Sequence, residues 1–316
     1  MKLSVIIPAY NVQDYIIKCL DSLRVQEYDD VEFLIVDDGS TDDTARRVKE
    51  YLKNIDDVRF KYFHKQNGGQ SEARNYGLTR ASGDYVWYID GDDYIPDDAD
   101  IVKKLINKTE KDSPELLVFN FKHDKSWPPK YANHASELKD WNHVKKGTEI
   151  FNQQIFNFSV WHILFRRKFL LNNKITFKKG STAEDLLYTS ECLLKANKVL
   201  VCSLVGYVYV YRDNSITKST NVRKVSRRIT DVIETTLLID QKMRDLSLQS
   251  NTLVSGFIAQ SMTAFATGYV SISRKKMKVF FKGKSLNLKE NIKKCILLYA
   301  PEKIRKFLCK KILSIN

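Results

Sequence analysis

Four short apolar runs alternate with helical patterns over residues 2–89, and three of the four stop on a polar cluster. Residues 2–9 are rich in β-branched side chains and carry Pro8 near their end, before Tyr10-Asn11. Residues 31–36 run into Asp37-Asp38-Gly39-Ser40, and residues 85–89 into Asp90-Gly91-Asp92-Asp93. Residues 58–63 are the remaining run. Short, mostly apolar runs of this length mark strands, and those at 2–9 and 31–36 read as strands buried on both faces. Between them, residues 14–25 place Tyr15, Ile16, Cys19, Leu20 and Leu23 at helical spacing. Residues 41–52, capped by Ser40 or Thr41, and residues 69–79 predict two more helices. Strand–helix alternation requires crossover connections, so the pattern predicts a parallel, doubly wound α/β sheet. Such sheets bind ligands beyond the carboxyl ends of their strands, where the three polar clusters fall.

The rest of the chain is less regular. Residues 116–121 and 199–211 read as strands, residues 183–196 as a helix, and residues 222–316 as mostly helical and lysine-rich. The net charge of +14 is uneven. Residues 1–100 hold 12 basic and 21 acidic side chains, residues 101–220 hold 20 and 11, and residues 221–316 hold 20 and 6. An acidic first third suits a metal, and a basic last third suits an anionic surface. Five scattered cysteines, with no CxxC pair, fit a reducing compartment. The apolar run at the start is too short for a signal peptide and is broken by Pro8. Residues 253–272 lack charge over 20 positions but carry several Ser, Thr and Gly, so they read as a buried or interface helix and not as a membrane span.

Asp90-Gly91-Asp92 puts two carboxylates around one small flexible residue at a strand end. Oxygen ligands in that pattern suit magnesium or manganese. Asp37-Asp38 should lie on the same sheet edge. Asn67-Gly68-Gly69-Gln70 permits a close backbone approach, and Arg74 at a helix start could meet a diphosphate.

The ordered set SVIIPAYN, LIVDDGSTD, NGGQSEARNYG and GDYVWYIDGDDYI resembles the family-two glycosyltransferases, over roughly residues 1–100. The likeness continues more weakly through Val160 to Arg167, through Glu184-Asp185, and through YVYVYRDNSIT at residues 207–217. It implies a GT-A fold: a Rossmann-like, mostly parallel sheet flanked by helices, with a mostly helical C-terminal extension. Residues 1–220 would be the transferase domain, with 1–100 binding the nucleotide-sugar and 101–220 the acceptor. Residues 221–316 would form a separate basic region.

The resemblance also implies roles. Pro8, Tyr10 and Asp38 sit around the nucleotide base, with Tyr10 on its face and Asp38 accepting from a ring nitrogen. Arg74 lies near the pyrophosphate, and Asp90 and Gly91 near the ribose. Asp92 is the metal ligand, helped by Asp90, with Mn2+ or Mg2+ as cofactor. Asp185 is the general base of an inverting transfer from a nucleotide-sugar, of UDP type, to a glycan or lipid-linked glycan in surface polysaccharide or glycoconjugate biosynthesis. Glu184 binds acceptor hydroxyls and Trp161 stacks on an acceptor sugar. The bland readings are helix-start acids for Glu184 and Asp185 and a core side chain for Trp161. Arg212 is equally a donor contact or a surface charge. A non-catalytic nucleotide-sugar-binding regulator is the alternative to an enzyme. Nucleic acid is not an expected partner, because no recognisable module is present.

Residues 274–316 hold 14 basic and 2 acidic residues. Ile304, Phe307, Leu308 and Ile312 share one helical face there, while Lys303, Lys306 and Lys310 lie away from it. That pattern predicts peripheral attachment to an anionic membrane, at its cytoplasmic face. Self-association through the C-terminal region is the competing reading.

Overall fold

The computed structural model describes residues 1–128, 136–151, 158–212, 221–248 and 274–282, with single positions at 258, 290, 293, 294, 297 and 309. Two compact units form. The first comprises residues 1–150, 155–180 and 188–212, and the second residues 151–154, 181–187 and 213–316.

The first unit is built on a sheet with, among the described residues, seven strands in the order β3-β2-β1-β4-β6-β5-β7. β1 (Leu3–Ala9) and β2 (Val31–Asp37) are buried at every position, Glu32 and Asp37 of β2 included. β3 (Phe60–His64) and β4 (Tyr85–Tyr88) extend this half, and every pairing within it is parallel. α1 (Ile16–Arg24) follows β1, α2 (Thr44–Ile55) follows β2 and α3 (Gln70–Arg80) follows β3. α4 (Ile101–Glu110) leads to β5 (Leu116–His123). α5 (Gly147–Phe151) precedes β6 (Ile163–Arg166), then come α6 (Arg167–Asn172), α7 (Glu184–Lys195) and β7 (Val199–Tyr209).

The structure departs from the sequence expectation in three places. β6 runs antiparallel to both β4 and β5, so the sheet is mixed. Its residues belong to the Trp161-containing segment, whose only sequence signal was the family likeness. Second, α4, α5 and α6 form where the sequence pattern predicts no helix. Third, neither Ser40 nor Thr41 caps α2: its N-cap is Asp43, with no side-chain cap bond. Their hydroxyls serve the loop after β1 instead. Ser40 Oγ accepts from the Asn11 N–H at 3.2 Å, and Thr41 Oγ1 from Asn11 Nδ2 at 3.2 Å.

Register places the strand ends together. Ala9 pairs with Asp37, and the Asp38 N–H donates to the Ala9 carbonyl at 2.9 Å. Ile6 pairs with Tyr88, and the Gly91 N–H reaches the Pro8 carbonyl at 3.3 Å. The chains leaving β1, β2 and β4 therefore emerge side by side. α3 is pressed onto β1 behind them: a Cβ at Gly77 would lie 2.4 Å from Ile6 Cγ2.

In the second unit, α8 (Val222–Asp245) starts on Asn221, whose side chain accepts from the Arg223 and Lys224 N–H groups. Ile229, Ile233, Thr236, Asp240 and Met243 form its buried stripe. α9 (Arg274–Phe281) buries Met277, Phe280 and Phe281. Arg244 donates to the Phe280 and Lys282 carbonyls at 2.7 and 3.0 Å. The first basic helix of the C-terminal region is thus a packed element. Among the described residues, no helix is long and apolar enough to cross a membrane. The charge-free stretch 253–272, apart from Ile258, and the apolar positions 304, 307, 308 and 312 lie outside the described residues.

One buried charge pins the sheet. Glu32, the second residue of β2, accepts from Ser4 Oγ at 2.7 Å, from Ser82 N and Oγ at 2.7 Å, and from Lys61 Nζ at 2.8 Å. Burial opposes its ionisation, but Lys61, Ser4 and Ser82 outweigh burial and hold the carboxyl down at about 2. A lowered carboxylate pKa stabilises the fold above the unfolded value and loses that contribution as pH falls through the folded one. The Glu32→Gln variant should therefore lose about 2 kcal/mol near neutral pH, after discounting for the half-exposed Lys61. Its stability should also vary less than that of the wild type between pH 4.5 and 2, as urea melts across that range would show.

Candidate active site

The site grows from the strand ends. Tyr10, at the end of β1, is 47% exposed, whereas Pro8 behind it is buried. Asp38 is buried where β2 ends, and its carboxylate closes the neighbouring loop. It accepts from Lys65 Nζ at 2.5 Å, from the Gly68 N–H at 3.1 Å and from the Gly69 N–H at 2.6 Å. Gly69 has φ +90°, a conformation that glycine reaches without strain. The group expected against a nucleobase is thus already the anchor of the 65–69 loop. Beside it, Asp37 is fully buried and accepts from Tyr62 Oη, His64 Nδ1 and the Ser40 N–H. Burial pushes its carboxyl up, but the donors, Ser40 and His64 foremost, hold it below the ordinary value.

Beyond β4, Asp90, Asp92 and Asp93 bring carboxylate oxygens within 4.8 Å of one another. Gly91 makes that turn possible, because a Cβ there would sit 3.0 Å from the Pro8 carbonyl oxygen and 3.2 Å from Ile16 Cδ1. Asp90 accepts from Arg74 Nη2 and from Gln70 Nε2, both at 2.8 Å. Arg74 is 1% exposed, with its guanidinium 5.1 Å from the centre of the Phe177 ring. Asp92 pairs with Arg212 at 2.6 Å, and Arg212 also lies 4.9 Å from the centre of the Tyr15 ring. Asp93 is buried and accepts from Tyr207 Oη at 2.5 Å and from the Val210 N–H at 2.7 Å.

Three carboxylates this close disfavour each other's ionisation. Burial and then the charge of Asp90 raise Asp92 above the ordinary range. Burial, then Asp92 and Asp90, raise Asp93 well above it. The cluster fits a hard divalent cation: its donors are all oxygens, and the two carboxylates with open oxygens, Asp90 and Asp92, are the partly exposed ones. Asp93 has both oxygens engaged by the protein and acts as their buried support.

The other expected residues are placed as follows. Trp161 is 6% exposed and stacked on Tyr207 at 4.6 Å, and its carbonyl accepts from Trp87 Nε1 at 2.7 Å. Glu184 and Asp185 occupy the first turn of α7, half-buried, in the part of that helix that belongs to the second unit. Ahead of them, Thr182 donates through N and Oγ1 to Asp231 of α8 at 2.8 and 2.9 Å. Sequence reasoning missed Lys65, Gln70, Asp93 and Tyr207. Gln70 and Asp93 lie inside the quoted motifs and were readable there. Tyr207 opens the quoted segment 207–217, but nothing local points to its partners at Asp90 and Asp93, more than 100 residues away.

Taken together, a mixed sheet of this topology and a carboxylate cluster between two arginines at its carboxyl edge define a glycosyltransferase of the GT-A fold. The profile of glycosyl transferase family 2 matches residues 4–172, and the chain belongs to that family. It is 31% identical over 225 residues to glycosyltransferase GlyA of Streptococcus pneumoniae, covering 69% of this chain and 32% of GlyA. It is 30% identical over 222 residues to glycosyltransferase EpsJ of Bacillus subtilis, covering 68% and 62%. The chain thus spans less than two thirds of either relative. The solved structure of Staphylococcus aureus TarS residues 1–349 in complex with UDP-GlcNAc superimposes with a TM-score of 0.73 at 22% identity, over 100% of this chain and 91% of that one.

The Tyr207→Phe substitution tests the support of the cluster. It leaves Asp93 buried with one donor fewer, so about 1–3 kcal/mol of stability should be lost, measured by chemical denaturation.

Proposed function

We propose that this chain is an inverting, metal-dependent glycosyltransferase that moves a sugar from a UDP-sugar to a hydroxyl of a glycan acceptor in surface polysaccharide or glycoconjugate assembly. The observation that carries this reading is the trio Asp90, Asp92 and Asp93 at the end of β4, flanked by Arg74 and Arg212. The UDP-GlcNAc held by TarS supports the choice of donor class.

In this reading Tyr10 covers one face of the base, with Pro8 as the wall behind it. Asp38 orders the 65–69 loop and presents a remaining lone pair to the base. Asp90 and Asp92 would hold Mn2+ or Mg2+, which would supply positive charge to a departing diphosphate. A mannosyltransferase of Pyrobaculum calidifontis, solved with GDP-Man and Mn2+, shares the fold at a TM-score of 0.54 and 16% identity. Arg74 fixes the orientation of Asp90, and Gly91 lets the turn close on β1. The acceptor oxygen attacks the anomeric carbon as the bond to the diphosphate breaks. Asp185 takes the acceptor proton, and Glu184 binds a neighbouring hydroxyl. Trp161 serves the acceptor side through the aromatic layer it forms with Tyr207. Peripheral attachment to anionic lipid is assigned to the basic residues beyond α9, since the apolar side of α9 is buried.

Two substitutions separate these roles. Asp185→Asn should keep UDP affinity while turnover falls by about 10²-fold or more. Normal turnover with lost UDP affinity would sink the assignment. Asp92→Asn should abolish Mn2+ binding, followed by electron paramagnetic resonance, and turnover with it. Full activity in excess chelator would remove the metal from the reaction.

A further inference from the structure

The two arginines beside the carboxylate cluster are held differently. Arg74 is 1% exposed, with Nη2 on Asp90 at 2.8 Å and its guanidinium against the Phe177 ring. It cannot leave Asp90 without opening the core. The Arg212 side chain is 23% exposed, and its Nη1 donates to Asp92 Oδ2 at 2.6 Å. The Tyr15 ring, 4.9 Å from the guanidinium, flanks it on the side of α1. Arg212 can therefore part from its carboxylate through solvent, while Arg74 cannot.

The main chain that leads into Arg212 is pinned. The Val210 N–H donates to Asp93 Oδ1 at 2.7 Å, and the Tyr211 N–H to Ser126 Oγ at 3.0 Å. The Tyr209 carbonyl accepts from the Asp124 N–H at 2.8 Å and from Trp127 Nε1 at 2.9 Å. Ser126 is held in turn, its N–H donating to Asp124 Oδ1 at 2.7 Å. Asp124 is buried and also accepts from the Tyr94 hydroxyl and from Lys18. With the backbone fixed, the guanidinium can change partners by rotation about side-chain bonds alone.

The same carboxylate is then wanted twice. Asp92 would ligate the cation, yet one of its oxygens already carries a guanidinium. Two like charges on one carboxylate repel strongly where the site is partly buried and water screens little. We propose that Arg212 is the resting counter-ion of the metal site: it neutralises Asp92 until that carboxylate passes to a divalent cation, and the released guanidinium then turns to the diphosphate of the donor. This rests on the reading of Asp92 as a metal ligand. The exchange never leaves Asp92 as an unpaired charge beside Asp90 and Asp93, the arrangement that repulsion penalises most. It also couples the two ligands. Metal alone must displace Arg212 with no anion to receive it, whereas a diphosphate offers the guanidinium a new partner, so each ligand strengthens the other.

The test uses the full chain, Mn2+ and UDP, with free Mn2+ followed by electron paramagnetic resonance. Arg212→Ala should bind Mn2+ alone about tenfold or more tightly than the wild type, the scale of one close charge on a neighbouring equilibrium. The factor by which saturating UDP tightens Mn2+ binding should shrink in that variant. A residue that only supported the fold would weaken metal binding when removed, so the sign of the change decides. The melting temperature should agree: in chelator the variant should melt below the wild type, and Mn2+ should raise it further than it raises the wild type. In case Arg212→Ala misfolds, Arg212→Gln should still bind Mn2+ more tightly than Arg212→Lys, which keeps the charge. Unchanged or weaker Mn2+ binding by the Ala variant overturns the proposal, as do equal affinities of the Gln and Lys variants. Asp92→Asn separates the two readings. If it abolishes Mn2+ binding while the Arg212 variants bind like the wild type, the exchange fails and the metal site stands. If it leaves Mn2+ binding intact, the metal site fails and the exchange with it.

Discussion

The crowding of Asp90, Asp92 and Asp93 is the constraint on which the rest of the first unit depends. Like charges this close cost free energy that must be offset by positive charge, by donors, or by a bound cation. The protein supplies the first two from scattered places. Arg74 and Gln70 come from α3, Arg212 from beyond β7, and Tyr207 from within β7. Much of the sheet order follows, because β7 must end where its tyrosine and the following arginine reach the turn after β4. The antiparallel strand β6, between β4 and β5, sets that distance.

The supporting residues also divide the carboxylates by function. Asp93 is enclosed and saturated, so it acts as scaffold. Asp90 and Asp92 keep partial exposure, each paired with an arginine. A similar split occurs one strand over. Asp37 is sealed beneath Tyr62 and His64, while Asp38 organises the glycine loop that flanks the site.

The second unit places charge differently. Its buried stripe on α8 packs the unit, and its cations gather at the end of that helix where they stabilise it least. Acidic chemistry on the sheet edge and a basic surface on α8 are the structural counterpart of the charge gradient along the chain.

Local periodicity determined a great deal. Short, mostly apolar runs alternating with helical spacing mark strands of a parallel sheet, two of them ending on acids, so β1 to β4, the helices between them and the placing of Asp38, Asp90 and Asp92 at strand ends were legible in the sequence. Gly91 was legible as the small residue between two carboxylates, and the structure adds its close approach to the Pro8 carbonyl. What the sequence could not contain was any pairing across long separations. The reversal of β6, the Tyr207–Asp93 bond and the Arg212–Asp92 pair depend on which distant segments neighbour β4, and no local pattern encodes that. Trp161 shows the same limit: an aromatic residue in a motif can face a ligand or its own sheet, and here stacking on Tyr207 buries it. Residue type and spacing decide secondary structure and the chemistry on offer. Burial and pairing partners, which decide how each group ionises and whether it meets solvent, exist only once the chain has closed on itself.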